Sequence, residues 1–225
     1  MTMLLYTLAP LTAALIGGVT TAYRPPGEQL RSVIQHFAGG VVFAAAAVEL
    51  LPDIVHANAM LPTMIGSALG IAAMLALQYA ERRLQGPVGL VTAASVDVLI
   101  DGLVLGLSFL HGAKQGLLMT IALSVEILFL GLSVASSIEG QSKARVIGTT
   151  MGVAAALPAG AAVSLALVDL PQATLSAFYA FGLIALLYLV TEELLVEAHE
   201  VEDRAFMPAA FFIGFVLLIY LEEIL

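Results

Sequence analysis

Three acids stand where an apolar chain has little reason to carry any: Asp97, Asp101 and Glu126. A charged side chain at the centre of a membrane helix costs about 2.5–3.5 kcal/mol on insertion scales, and such residues are usually functional. Asp97 and Asp101 are four apart, so a helix sets them on one face. Asp101 lies ten residues before His111, about 15 Å at 1.5 Å per residue. Glu126 lies eleven residues after Gln115, about 16 Å by the same rise. Two neighbouring helices thus bring the three carboxyls to one depth, near the middle of a bilayer. No Lys or Arg falls at that depth, so the acids must be protonated or hold a cation. An oxygen-only set suits hard or borderline divalent ions such as Mg²⁺, Mn²⁺, Fe²⁺ or Zn²⁺. Two other readings remain: neutral acids hydrogen-bonded between helices, or a proton relay without metal.

A second set of acids flanks these. Glu49 and Asp53, with His56, lie toward one end of their apolar stretch and would collect a cation on entry. Glu193 and Glu197, with Glu192, His199 and Glu200, lie toward the opposite end of theirs and would accept it on exit. Polar helix ends are also ordinary membrane chemistry, which leaves Glu49 and Glu193 as the better candidates because they sit inside the spans. The four histidines, His36, His56, His111 and His199, all fall near span ends and read as interfacial polar residues. Glu222 and Glu223 read as solvated. Gly66-x-x-x-Gly70 and Gly102-x-x-x-Gly106 permit close helix contact, including that of a homodimer.

The elements that must position these residues follow from composition. The 225 residues are 60% hydrophobic and 11% charged, with a mean hydropathy of +1.02. Soluble domains carry about 25% charged residues, so the composition argues against a water-soluble fold and for lipid as the solvent. The absence of cysteine excludes disulfides, thiolate metal sites and cysteine nucleophiles. A net charge of −9 argues against nucleic acid as a partner. Eight apolar stretches can cross a bilayer: 4–22, 32–54, 60–80, 87–111, 115–138, 146–168, 171–197 and 205–223. The first of these has no charged segment before it and reads as a retained span. Strands are not expected, because the runs are long and lack alternation. The whole of 1–225 is one all-α polytopic membrane domain, with no loop long enough for a soluble one.

Orientation follows from Lys and Arg. Arg24, Arg31, Arg82, Arg83, Lys143, Arg145 and Arg204 fall on one side and Lys114 on the other. The basic side is the cytoplasmic one, so both termini face away from the cytoplasm. The expected location is the plasma membrane of a bacterium or another cell. The chain also repeats itself. Phe37 and Glu49-Leu50-Leu51-Pro52-Asp53 are echoed by Phe181 and Glu193-Leu194-Leu195-Val196-Glu197 with the same spacing. Asp97-x-x-x-Asp101-Gly102 is echoed by Glu126-x-x-x-Leu130-Gly131. The second and seventh spans run in opposite directions, so the repeat is inverted, as in many secondary transporters.

With these words in view, the sequence resembles the ZIP (Zrt/Irt-like) family of divalent-metal transporters over nearly its whole length. GGVVFAAAAVELLPD is similar to the family's Gly-Gly…Leu-Leu-Pro-acid segment, and FGLIALLYLVTEELLVEA to its late Glu-Leu-Leu-Pro-Glu segment. DVLIDGLVLG stands where that family carries His-Asn-x-Pro-Glu-Gly, and EILFLG where it carries His-x-x-Pro-Glu-Gly. In those places Asp97, Val98 and Asp101 replace His, Asn and Glu, while Glu126 and Leu130 replace the two ligands of the fifth span. Ala156-Leu157-Pro158-Ala159-Gly160 is similar to Glu-Pro-x-Gly with Leu157 in place of the acid. The resemblance implies eight helices in a 3+2+3 arrangement and an elevator-like or rocking movement of a bundle containing spans four and five. Loss of the ligands at Val98, Leu130 and Leu157 implies one metal site at most.

The expected function is transport of a Zn/Mn/Fe-type divalent ion toward the cytoplasm. The chain is not expected to be an enzyme, and no cofactor is expected beyond the transported cation. Two rivals remain: a metal-binding or inactive relative without flux, and an intramembrane aspartyl protease pairing Asp101 with Glu126. The second lacks a Gly-x-Gly-Asp word.

Overall fold

The structure, a computed structural model, describes residues 2–84, 87–138, 140–200 and 206–225. Among them are eight helices long and apolar enough to span a membrane. They are α1 (Met3–Tyr23), α2 (Glu28–Ala57), α3 (Met60–Leu84), α4 (Val88–His111), α5 (Ala113–Ser137), α6 (Lys143–Leu167), α7 (Gln172–Ala198) and α8 (Met207–Ile224). Each predicted span is met by one helix, with ends displaced by a few residues, and no strand occurs among the described residues. Arg204, one of the residues behind the predicted orientation, lies outside the described residues.

Apart from the acids, the helix interiors are apolar on most faces, so which face is buried is decided mainly by close packing. Small residues make that choice. A Cβ on Gly17 of α1 would lie 2.4 Å from the Leu128 carbonyl of α5, and one on Gly131 of α5 would lie 2.9 Å from the Ala14 carbonyl of α1. The α4–α6 contact repeats this: a Cβ on Gly160 would run into the Leu99 carbonyl, and one on Gly102 into the Leu157 carbonyl. Helices α2 and α8 lock through Gly40 and Gly214, against the carbonyls of Phe211 and Phe37. Helices α3 and α7 lock through Gly66 and Gly70, against Ala177 and Phe181. The paired positions, Ala14 with Leu157, Gly17 with Gly160, Phe37 with Phe181, and Gly70 with Gly214, stand at one sequence separation to within a residue.

Two groups of four helices result. Helices α1, α4, α5 and α6 pack on one another, and α2, α3, α7 and α8 form the other group. Between the groups, within the membrane, Gly182 of α7 meets the Val104 side chain of α4 instead of backbone. Gly66, Gly70, Gly102 and Gly106 are all consumed inside the chain. They therefore explain the chain's own packing. Helices α3 and α8 are the least covered, at 17% and 22% buried, while α5 is central at 67%. Large apolar side chains such as Leu61, Leu69, Phe212 and Ile213 point outward, as lipid-facing residues do. At the end of the molecule that carries Arg31 and Arg82, Lys143 lies 3.8 Å over the Tyr23 ring and Arg83 5.0 Å over Tyr79. Such amphipathic pairs suit the headgroup level.

Two helices widen where the repeated words stand. In α2 a π-helical turn runs Ala46–Leu50, and the Leu51 N–H reaches the Ala46 carbonyl, five residues back. In α7 the π turn runs Leu189–Leu194, and the Leu195 N–H reaches the Val190 carbonyl. Pro52 accounts for the first, since its ring has no N–H and would clash with the carbonyl one turn earlier. Val196 stands at the matching place in α7, so that turn forms without a proline. Helix α6 breaks at Ala155, just before Pro158, for the same steric reason as α2.

Candidate metal centre

Helices α4 and α5 are joined by a tight turn at Gly112, whose N–H donates to the Ser108 carbonyl at 3.1 Å. The resulting antiparallel hairpin sets Asp101 and Glu126 level with one another. One oxygen from each of Asp97, Asp101 and Glu126 forms a group in which all lie within 4.8 Å. The residues are 4%, 2% and 1% exposed. Asp97 Oδ2, Asp101 Oδ2 and both Glu126 oxygens are buried without a hydrogen-bond partner. None of the ion pairs among the described residues involves them. Three carboxyls crowd together, buried and with no base beside them among the described residues, so their lost hydration and mutual repulsion are uncompensated. A divalent cation would relieve both, and the donor set fits one: oxygens only, already convergent, with lone pairs unspent. Val98, next to Asp97 in the sequence, and Leu157, whose carbonyl faces Gly102 across the α4–α6 contact, are fully buried and apolar.

A cavity of about 170 Å³ adjoins this group at Glu126. Ser133, Glu193, Glu197, Glu81 and Glu192 also line it. Glu193 and Glu197 thus line one cavity with Glu126. Glu197 is not bare. Gln35 Nε2 donates to its Oε2 at 2.8 Å, Arg31 Nη2 at 3.4 Å and Ser133 Oγ at 3.5 Å. Glu81, Gln35 and Ser133 escaped the sequence reading. Glu81 stands in the basic word between spans three and four, and the other two are uncharged, so only their meeting with Glu197 or the cavity reveals them.

At the opposite end Glu49 and Asp53 are buried, at 5% and 4% exposed. His111 Nδ1 lies 2.8 Å from Asp53 Oδ1, and Lys114 Nζ lies 3.0 Å from Glu222 Oε1. His111 is therefore the partner of an expected entry acid rather than a free interfacial residue, and Glu222 is paired rather than simply solvated. His36 also departs from expectation, being 1% exposed. Its Nδ1 donates to the Ser32 carbonyl at 2.9 Å and its Nε2 has no partner. Its ring meets that of His199 edge-on at 5.1 Å. His56 is exposed, as expected.

Compared with protein-family models and with curated protein sequences, the chain matches none.

Proposed function

We propose that this protein carries a divalent metal ion of the Zn/Mn/Fe type across a membrane, toward the side that bears Arg31, Arg82 and Lys143. Asp97, Asp101 and Glu126 are the midway site. Glu49 and Asp53 lie on the way in, and Glu193 and Glu197 on the way out. The observation that carries this reading is the group of buried carboxyl oxygens within 4.8 Å of one another, with no base beside them. The acid-lined cavity at Glu126 supports a path and not just a binding site. The repeated π turns and mirrored glycine contacts support an inverted repeat of the ZIP-like 3+2+3 kind. The basic residues gathered at one end support a cytoplasmic cavity mouth and termini on the outer side. The ion is cargo, and the residues here need no resident cofactor to move it.

Reconstitution in liposomes tests the proposal. Uptake of Mn²⁺, Zn²⁺ and Fe²⁺ is followed for the unaltered chain and for Asp97→Asn and Glu126→Gln. Flux of at least one ion, lost in both variants, is expected. Binding without flux would reduce the protein to a metal-binding relative, and ions moving equally well in both variants would remove the site.

A further inference from the structure

Two of the three ion pairs among the described residues join the two helix groups, and both lie at the same end. His111 closes α4 and Lys114 opens α5, so one tight turn carries both cationic side chains. Their partners sit across the group boundary, Asp53 on α2 and Glu222 on α8. At the other end the pair Arg31–Glu197 joins α2 to α7 within a single group. The polar bond that crosses there is Ser133 to Glu197, at 3.5 Å. The structure is thus clasped at the entry end and hollow at the exit end.

Asp53 adds a second observation. Its side chain is 5% exposed and its Oδ2 is buried without a partner, while His111 is 40% exposed. The carboxylate is half-used: one oxygen is held by an exposed imidazole, and the other is buried without a hydrogen-bond partner.

We infer that His111 and Lys114 hold the entry half of the path shut, and that an arriving divalent cation displaces His111 from Asp53. Cation capture and release of the clasp are then one exchange. The ion takes the lone pairs of Asp53 that the imidazole N–H had occupied, the turn at Gly112 comes free of α2, and Lys114 loses its fixed position opposite Glu222. Glu49, one helical turn inward from Asp53, is the next oxygen donor. The inference rests on the transport reading for the identity of the ion, but the clasp is a property of the contacts alone.

A cysteine placed by mutation is the unique thiol in this chain, which has none of its own. Val104→Cys puts one on α4 at a position that is fully buried and in contact with Gly182. Its modification by a membrane-impermeant methanethiosulfonate is timed in liposomes with the reagent on the His111 side. Labelling is expected to be slow in the otherwise unaltered chain. It should be at least about tenfold faster with His111→Ala and Lys114→Ala together, a tenfold change in the open fraction being about 1.4 kcal/mol. Asp53→Asn with Glu222→Gln breaks the same contacts from the other side and should give the same rise. His111→Gln keeps a donor for Asp53 and should stay slow. Adding Mn²⁺ should speed labelling while Asp53 is present and not in Asp53→Asn. Equal rates in all these proteins overturn the inference, even if ions are transported. Faster labelling with no ion movement keeps the clasp and removes the transport reading instead.

Discussion

Glu49 and Glu193 occupy the same place in two widened turns, each one residue before the end of its turn, in α2 and in α7. Each lies within a π turn, where the i→i+5 ladder leaves the backbone locally loose and where functional residues are often found. In the proposed transport, that placement would make them rate-setting rather than affinity-setting. Glu49→Gln and Glu193→Gln are each expected to slow uptake about tenfold, equivalent to about 1.4 kcal/mol on the barrier. Mn²⁺ affinity measured by calorimetry in detergent should change less than about threefold, or about 0.7 kcal/mol. Equal losses in affinity and rate would mean that these acids belong to the central site.

The central acids carry an opposite signature. Because four of their oxygens are buried and unpartnered, the metal-free protein gains from neutralising them. Asp101→Asn and Glu126→Gln should leave the thermal midpoint of metal-free protein unchanged or raised. Saturating Mn²⁺ should stabilise the unaltered protein by about 2.7 kcal/mol at a hundred times its dissociation constant. Chelation should reverse that gain, and neither variant should show it. Thermal unfolding followed by intrinsic tyrosine fluorescence, with and without metal, checks both points.

Glycine substitutions separate the packed contacts from the open ones. A Cβ on Gly102 or Gly160 would fall about 2 Å from a carbonyl of the facing helix, whereas Gly148 and Gly152 on α6 meet nothing within 4 Å. Gly160→Val is expected to abolish the folded monomer in detergent by forcing α4 and α6 apart. Gly148→Ala and Gly152→Ala should be neutral or stabilising by about 0.5–1 kcal/mol, since glycine is the poorer helix former. Size-exclusion profiles and unfolding midpoints distinguish the two outcomes.

Gln35 gives a fourth test. Its amide is the shortest contact to Glu197 Oε2, and a hydrogen bond to a charged group contributes about 1.5–3 kcal/mol. Gln35→Leu should therefore lower stability by an amount in that range, while Ser133→Ala, acting on a 3.5 Å contact, should cost well under 1 kcal/mol. Unfolding midpoints in detergent measure both, and equal effects would mean that Gln35 acts through packing alone.

The spans and the three central acids were legible in the sequence because each is a strong local signal. Twenty apolar residues, and a charge inside them, carry their own meaning in lipid. What was not legible depends on which helix faces which. An apolar helix offers no stripe to read, so nothing in the sequence alone pairs Gly160 with Leu99 or Gly40 with Phe211. The partners of Glu197 and Asp53 were hidden for the same reason. Gln35, Ser133, His111 and Lys114 are unremarkable until α2 is laid against α5, or the α4–α5 turn against α2 and α8. The widened turn of α2 could be suspected from Pro52. That of α7 could not, because Val196 carries no such sign.

That difference between Pro52 and Val196 makes the two halves mechanically unequal. Val196 keeps its amide, so regularising α7 would sacrifice no peptide hydrogen bond. Regularising α2 would drive the Pro52 ring into a carbonyl one turn back. The widened turn of α7 can therefore revert to regular helix without a steric clash, and that of α2 cannot.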